Sequence, residues 1–273
     1  ACWDQVLETM PDTIMLVSWN MWTVLKLPYQ GGEYMYVDTV TLEYSLSIEM
    51  ARGAYEDNYY MQSAENIRNY KFTGEASARE PQTIDINGSY AQWYITEGVY
   101  RQIGQDAYRR MSSSVDGSIT YRTTLPENNI QEIRVAHDDN NIYFMLRTED
   151  DISAREEGNL SWMNLFIGAG EPALEGWEGY EYVLNRSGSD TATDIVRLNA
   201  DFNGEVVGQA EMKIDGNRMF ISVPRNLIGM ENETQFYFKA ADSVAVPDDI
   251  MEYYVSGSVM PMGRMSYEYK MAE

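Results

Sequence analysis

From residue 84 onward, apolar and polar positions alternate with a period of two in short runs broken by Asp, Asn and Gly. One such pair is IQEIRVAH and IYFMLRT, which flank the turn Asp138-Asp139-Asn140-Asn141. Such alternation puts successive side chains on opposite faces of a strand, and an Asx-rich turn between two runs spells a hairpin. The clearest hairpin is read at 206–223. Ala210, Met212 and Ile214 alternate with polar neighbours, Asp215-Gly216 supplies the turn, and Met219, Ile221 and Val223 alternate back. The same reading predicts strands at 84–87, 131–137, 141–148, 162–168, 179–185, 193–200, 205–214, 217–223, 234–241 and 251–255. Residues 224–229 read as a single helical turn closed by glycine. Many short strands at this spacing predict a mainly β fold, an antiparallel β-sandwich, over 84–273.

The first 72 residues have another character. Residues 3–10 read as the end of a helix stopped by Pro11-Asp12, and TIMLVSWN at 13–20 reads as a strand buried on both faces. Residues 57–71 read as a second helix, with Tyr60, Ala64 and Ile67 at i, i+4 and i+7 and Asp57 as its cap. Helix, parallel-type strand, long connection and helix is a β/α unit, and one such unit cannot cover its own strand. The stretch TGEASAREPQT at 73–83 is small, polar and Pro-containing, and reads as a linker.

Composition narrows the function classes. The 273 residues carry 43 acidic against 20 basic side chains, a net charge of −23. That field repels nucleic acid and anionic membrane surfaces and tolerates neutral ligands. No apolar run is long enough to span a membrane, and no signal peptide is visible. The chain opens without Met in what reads as the middle of a fold, so a longer parent is expected. The single cysteine, Cys2, excludes an internal disulfide and a Cys-based zinc site, and is expected to be buried in its helix. His137 is the only histidine and reads as an exposed turn residue. One His and one Cys give no basis for Ser-His-Asp or Cys-His catalysis.

The ordered words IDINGSYAQW, IRVAHDDNNIYFMLRTEDDIS, SWMNLFIGAG, GWEGYEYVLNR, MFISVPRNLIG, FYFKAADSV, DDIMEYYVSG and PMGRMSYEY resemble family 9 carbohydrate-binding modules and their DOMON-like relatives across almost all of residues 80–273. The words SWNMW at 18–22 and DNYY at 57–60 resemble the end of the (β/α)8 barrel in bacterial glycoside hydrolases similar to families 71 and 99. The first resemblance implies a sugar-binding sandwich. The second implies that residues 1–72 are an α/β fragment, the last part of such a barrel. Met21 stands where the barrel motif carries a carboxylate, and a thioether cannot exchange a proton or hold an oxocarbenium charge.

Together the resemblances imply a carbohydrate-binding accessory module at the C-terminal end of an extracellular bacterial glycoside-hydrolase-like protein, not itself catalytic. A purely structural sandwich propping the barrel and an active polysaccharide-degrading parent are the alternatives. Pyranose rings pack their C–H faces on aromatic rings. Trp162, matching a ligand-stacking Trp of the family, is the first candidate. Trp177, in the glycine-flanked loop Glu175-Gly176-Trp177-Glu178-Gly179, and Tyr180 beside it are the next. The family's second ligand Trp has no counterpart near the C-terminus, which offers Met265, Tyr267 and Tyr269. Trp93 is expected in the core. Trp19, Asn20 and Trp22 would line the rim of the barrel pocket. The acidic pairs Asp138-Asp139, Asp150-Asp151 and Asp248-Asp249 leave room for a structural calcium, although no EF-hand spacing occurs. The expected partners are a glycan or polysaccharide and the rest of the parent barrel, with no nucleic acid and no membrane span.

Overall fold

The computed structural model describes residues 2–17, 19–20, 25–28, 30–37, 47–52, 55–72, 74, 76–102, 111–113, 117–118, 120–122, 125–170 and 175–272. They form two compact units, Ala1–Glu75 and Ala76–Glu273.

The first unit contains helix α1 (Cys2–Thr9), strands β1 (Leu25–Pro28) and β2 (Tyr34–Val37), paired antiparallel, and helix α2 (Asn58–Tyr70). The 3.6-residue spacing places α2 correctly, and Asp57 stands at its N-cap, but the carboxyl makes no capping bond. Tyr70 instead reaches back to donate its hydroxyl to the Pro11 carbonyl. Cys2 is exposed rather than buried, because α1 buries none of its residues. The strand expected at 13–20 is absent over the described residues 13–17, where Met15 is 83% and Val17 62% exposed. A strand of that type needs hydrogen-bonded neighbours on both sides, and the described chain provides none.

In the second unit, alternation does become sheet. The strands are β3 (Ala78–Arg79), β4 (Gly98–Arg101), β5 (Met111–Ser113), β6 (Thr120–Arg122), β7 (Ile130–His137), β8 (Asn141–Thr148), β9 (Asn164–Ala169) and β10 (Tyr182–Gly188). They continue with β11 (Ala192–Leu198), β12 (Gly204–Asp215), β13 (Arg218–Pro224), β14 (Gln235–Asp242), β15 (Ser258–Met260) and β16 (Tyr267–Met271). Twelve of them make one sheet in the order β3-β16-β14-β9-β10-β11-β12-β13-β8-β7-β4, with β15 beside β14, while β5 and β6 pair separately. Every pairing in the large sheet is antiparallel except β3 with β16, so the sheet is mixed.

The two ends of the sheet order come together. Tyr100 on β4 packs 4.9 Å from the Phe238 ring of β14, and its hydroxyl donates to the Glu268 carbonyl of β16 at 2.7 Å. Phe144 of β8 faces Phe236 and Phe238 at 5.9 and 5.7 Å. The sheet thus curls over one aromatic and aliphatic core that takes Ile133, Val135, Leu146, Leu165, Ile167 and Ile221.

Two expected strands are not strands. Ile84 and Ile86 are buried with the predicted period of two, yet 84–87 pairs with no strand. The Gln92 side chain takes the place of a neighbour: its amide donates to the Asp85 carbonyl at 2.5 Å, and its oxygen accepts from the Asp85 N–H at 3.0 Å. Residues 251–254 fall within a 3-10 turn, Ile250–Tyr254, whose C-cap is Val255 and whose N-terminus is capped by the Asp249 carboxylate on the Met251 N–H at 2.9 Å. The expected linker is in part structural. β3 lies inside it, and the Gln82 N–H donates to the His137 carbonyl at 2.6 Å. No helix among the described residues is long and apolar enough to cross a membrane.

Candidate functional site

The three aromatic residues singled out for sugar stacking all lie inside the second unit: Trp162 is 2% exposed, Trp177 3% and Tyr180 2%. Trp162 enters β9 through a short irregular segment and sits in the main core. Its indole N–H donates to the Ser153 carbonyl at 3.0 Å, and the Arg155 guanidinium lies 5.6 Å from its ring.

Trp177 and Tyr180 come together elsewhere. Their backbones bridge reciprocally at 3.0 and 2.9 Å across Glu178-Gly179. Both of those residues have positive φ, 53° and 88°, the requirement of a type I′ hairpin turn. The glycine-flanked loop is therefore a tight turn that folds its rings inward, not a loop that presents them. The rings meet Phe166, the residue of β9 whose neighbours Leu165 and Ile167 face the main core. Strand alternation thus turns Phe166, and with it Trp177, to a second aromatic layer on the other face of β9. Trp162 shares the parity of Phe166 but precedes the strand, across the positive φ of 42° at Met163, and joins the main core. Phe202 and Tyr253 complete that layer, 4.7 and 5.5 Å from Trp177. The polar handles are used internally: Trp177 Nε1 donates to the Asp248 carbonyl at 3.3 Å, and the Tyr180 hydroxyl lies 2.6 Å from Ser266 Oγ. Burial pushes the Tyr180 and Tyr253 phenols well above their ordinary range. With ring faces and donors already engaged, these three residues offer a sugar no stacking surface, which corrects the expectation drawn from them.

The turn depends on Gly176. Its φ is +68°, and a Cβ there would stand 2.1 Å from the Tyr180 carbonyl oxygen. Gly176→Ala is therefore expected to cost more than ~1 kcal/mol of unfolding free energy, read as a lowered denaturation midpoint.

His137 is likewise interior, at 2% exposure, because it ends β7 under the C-terminal strand β16. Its Nδ1 lies 2.9 Å from the Tyr269 hydroxyl, and its Nε2 has no partner. Burial, with the Arg225 charge second, lowers its pKa to about 4 against the pull of Asp138 and Asp139. Tyr269, one of the C-terminal aromatics, is thus a core residue. In the first unit, Trp19 is 49% exposed with its ring 6.0 Å from Tyr60, and Asn20 is exposed. Trp22 and Met21 lie outside the described residues.

The acidic turns are used as turns. Asp138 Oδ1 accepts from the Asn140 and Asn141 N–H groups, each at 2.9 Å, and Oδ2 accepts from the Tyr143 hydroxyl at 2.6 Å. Burial raises this carboxyl, but those hydrogen bonds outweigh it and leave the pKa below the usual value. Among the described residues no group of three or more His, Cys, Asp or Glu is placed to hold a metal ion.

Sequence reasoning missed the buried polar groups within strands. Asp242, 1% exposed, receives the Asn128 N–H and side-chain amide, the Met163 N–H and the Ser243 hydroxyl at 2.6 to 3.0 Å. Glu132, 4% exposed, is held by Arg101 and Arg134 at 2.8 Å each. For Asp242 the signal available was a charged residue in phase with the inward Phe236, Phe238 and Ala240, whereas Glu132 is out of phase with the inward Ile133 and Val135 and carried no such signal. The described residues also form surface hollows. One of about 190 Å³ lies where β3, β4 and β16 meet, and one of about 400 Å³ lies between Ile86-Asn87 and the outer face of β12.

No family model, no curated protein and no solved structure matches this chain.

Proposed function

We propose that residues 76–273 are a non-catalytic accessory module of an extracellular bacterial glycan-acting protein, joined to the end of an α/β barrel. In this reading the module is a family 9-like sandwich, and Trp162, Trp177 and Tyr180 serve its architecture. One observation carries the choice of a structural over a ring-stacking role: all three rings are interior, with their polar atoms bonded to the module itself. The sequence resemblances described above support the barrel partner. The exposed apolar run Met15-Leu16-Val17, which pairs with no strand among the described residues, fits an element that belongs to a larger parallel sheet. Any glycan recognition by the module then uses a surface other than these rings.

Calorimetry of the parent protein with and without residues 76–273 tests the reading. The expected result is a lowered melting temperature of the remaining barrel, since a propping domain stabilises what it covers. An unchanged barrel transition overturns it.

A further inference from the structure

Residues 261–266 join β15 to β16 and lie against the second aromatic layer as a strap, with Lys239 of β14 beneath its first residue. We propose that this strap is a pH-sensitive latch, closed over a neutral Lys239 amine and opened by itself, with the sheet intact, once that amine takes up a proton. The inference goes beyond the accessory role and is tested on this chain alone.

The position of Lys239 is the first ground. Phe236, Phe238 and Ala240 of β14 face the main core, so alternation turns Lys239 to the other face of the sheet, across from Phe166 of β9. The residue is 0% exposed, and its Nζ donates to the Pro261 carbonyl. Fully enclosed lysines are ordinarily paired, and among the described residues no carboxylate pairs with this one. The charged and titratable groups around it are engaged elsewhere. Glu178 of the Trp177–Tyr180 turn is held by Arg264 at 2.5 Å, and Glu181 accepts from the Ala169 N–H at 2.8 Å. Glu268 of β16 lies 3.6 Å from Lys270 and accepts from the Tyr237 hydroxyl at 3.1 Å. Arg186 and Asp248 act on the Tyr253 phenol, which burial pushes well above its ordinary range together with that of Tyr180. Burial alone therefore holds the Lys239 amine well below the ordinary lysine range.

The second ground is how the strap is held. The Gly263 N–H donates to the Tyr253 carbonyl at 3.1 Å, and the Arg264 N–H donates to the Tyr254 hydroxyl at 3.3 Å. Ser266 Oγ lies 2.6 Å from the Tyr180 hydroxyl, and Arg264 reaches Glu178. Apart from the Lys239 bond, these ties run to the 3-10 turn and the Trp177–Tyr180 turn. The ladder pairs Ala240–Met260 and Phe238–Tyr267 stand directly before and after the strap. It can therefore lift without breaking a pair of the sheet, as a local opening unit. Closed, the strap keeps Lys239 neutral. Open, it leaves the amine in water, where the ordinary pKa of 10.5 applies. As pH falls below 10.5 the open form gains about tenfold per unit, until the closed form's own lowered pKa is reached. His137, with its pKa of about 4 folded and 6.5 unfolded, does not enter this window.

The test is limited trypsin cleavage. Arg264 puts a cleavage site in the strap, and Lys71, exposed in the first unit, is a reference site in the same chain. The rate at Arg264 relative to Lys71 is followed from pH 9.5 to pH 7, at low protease, where cleavage reads the open population. In the unmodified protein the ratio is expected to rise about tenfold for each unit of pH lowered, levelling only at the closed-state pKa. In Lys239→Met, which keeps the length of the side chain without its charge, the ratio should stay constant. The Cε resonance of Lys239 in 13C-lysine-labelled unmodified protein is the second measurement, and it should titrate well below 10.5. A flat ratio in the unmodified protein, an equal rise in folded Lys239→Met, or a Lys239 resonance titrating near 10.5 overturns the proposal. Should Lys239→Met not fold, the unmodified protein's ratio and its lysine resonance decide.

Discussion

Trp177→Ala lowers the unfolding free energy of the second unit by about 3–5 kcal/mol, the range for truncating a fully buried large aromatic side chain. The ring is 3% exposed and lies 4.7 to 5.5 Å from Phe202, Phe166 and Tyr253, so its loss opens a cavity among rigid rings that cannot collapse to fill it. It also leaves the Asp248 carbonyl without its indole donor. Trp162→Ala is expected to fall in the same range, with the Ser153 carbonyl left unpaired. Domain stabilities are about 5–15 kcal/mol, so either change removes a large share and lowers Tm on the order of 10 °C. Urea denaturation reads this directly. A change below about 0.5 kcal/mol, typical of an exposed position, would instead support a surface stacking role.

The second large effect is acid destabilisation through His137. Its pKa is about 4 in the folded chain against an ordinary 6.5, for the causes given above. Well above pH 6.5 the imidazole is neutral in both folded and unfolded chains and contributes no pH dependence. As pH falls below 6.5 the unfolded chain takes up the proton first, so stability declines until the folded imidazole also protonates near pH 4. The loss amounts to about 2 kcal/mol, allowing for partial solvent screening of the shift. His137→Gln keeps a group able to bond the Tyr269 hydroxyl but cannot charge. Its stability should therefore stay flatter than that of the unmodified protein between pH 7 and pH 4.5. Glu132 and Asp138, held below the usual carboxylate range, add their own loss only at lower pH. Parallel stability curves for the two proteins would remove His137 from the account.

The hairpins β7–β8 and β12–β13 were legible because each alternating run faces its partner across a short Asx or Gly turn, a local signal. β3, β4 and β16 were not, since their partners lie far away in sequence and their runs are short. The 84–87 segment shows why alternation is insufficient. Ile84 and Ile86 point inward as predicted, but the Gln92 side chain, not a strand, satisfies Asp85.

The site was less legible than the fold. Ring type and flanking glycines identified Trp177 and Tyr180 as unusual, but the direction a tight turn points its rings is a tertiary fact. In this chain Glu178 and Gly179 turn them inward. His137 illustrates the same limit: a residue beside an acidic turn reads as exposed until the C-terminal strand is laid over it. The apolar run at 13–20 read as a strand by composition, yet its described residues 13–17 form none, because composition does not provide neighbours to pair with.

The most direct test of the central claim is hydrogen–deuterium exchange of the Trp162 and Trp177 indole N–H groups in the presence and absence of soluble oligosaccharides. Both donors are buried and bonded to backbone carbonyls, so slow exchange and no ligand-induced shift are predicted. Fast exchange, slowed and shifted by an oligosaccharide, would contradict the account and return these rings to the surface.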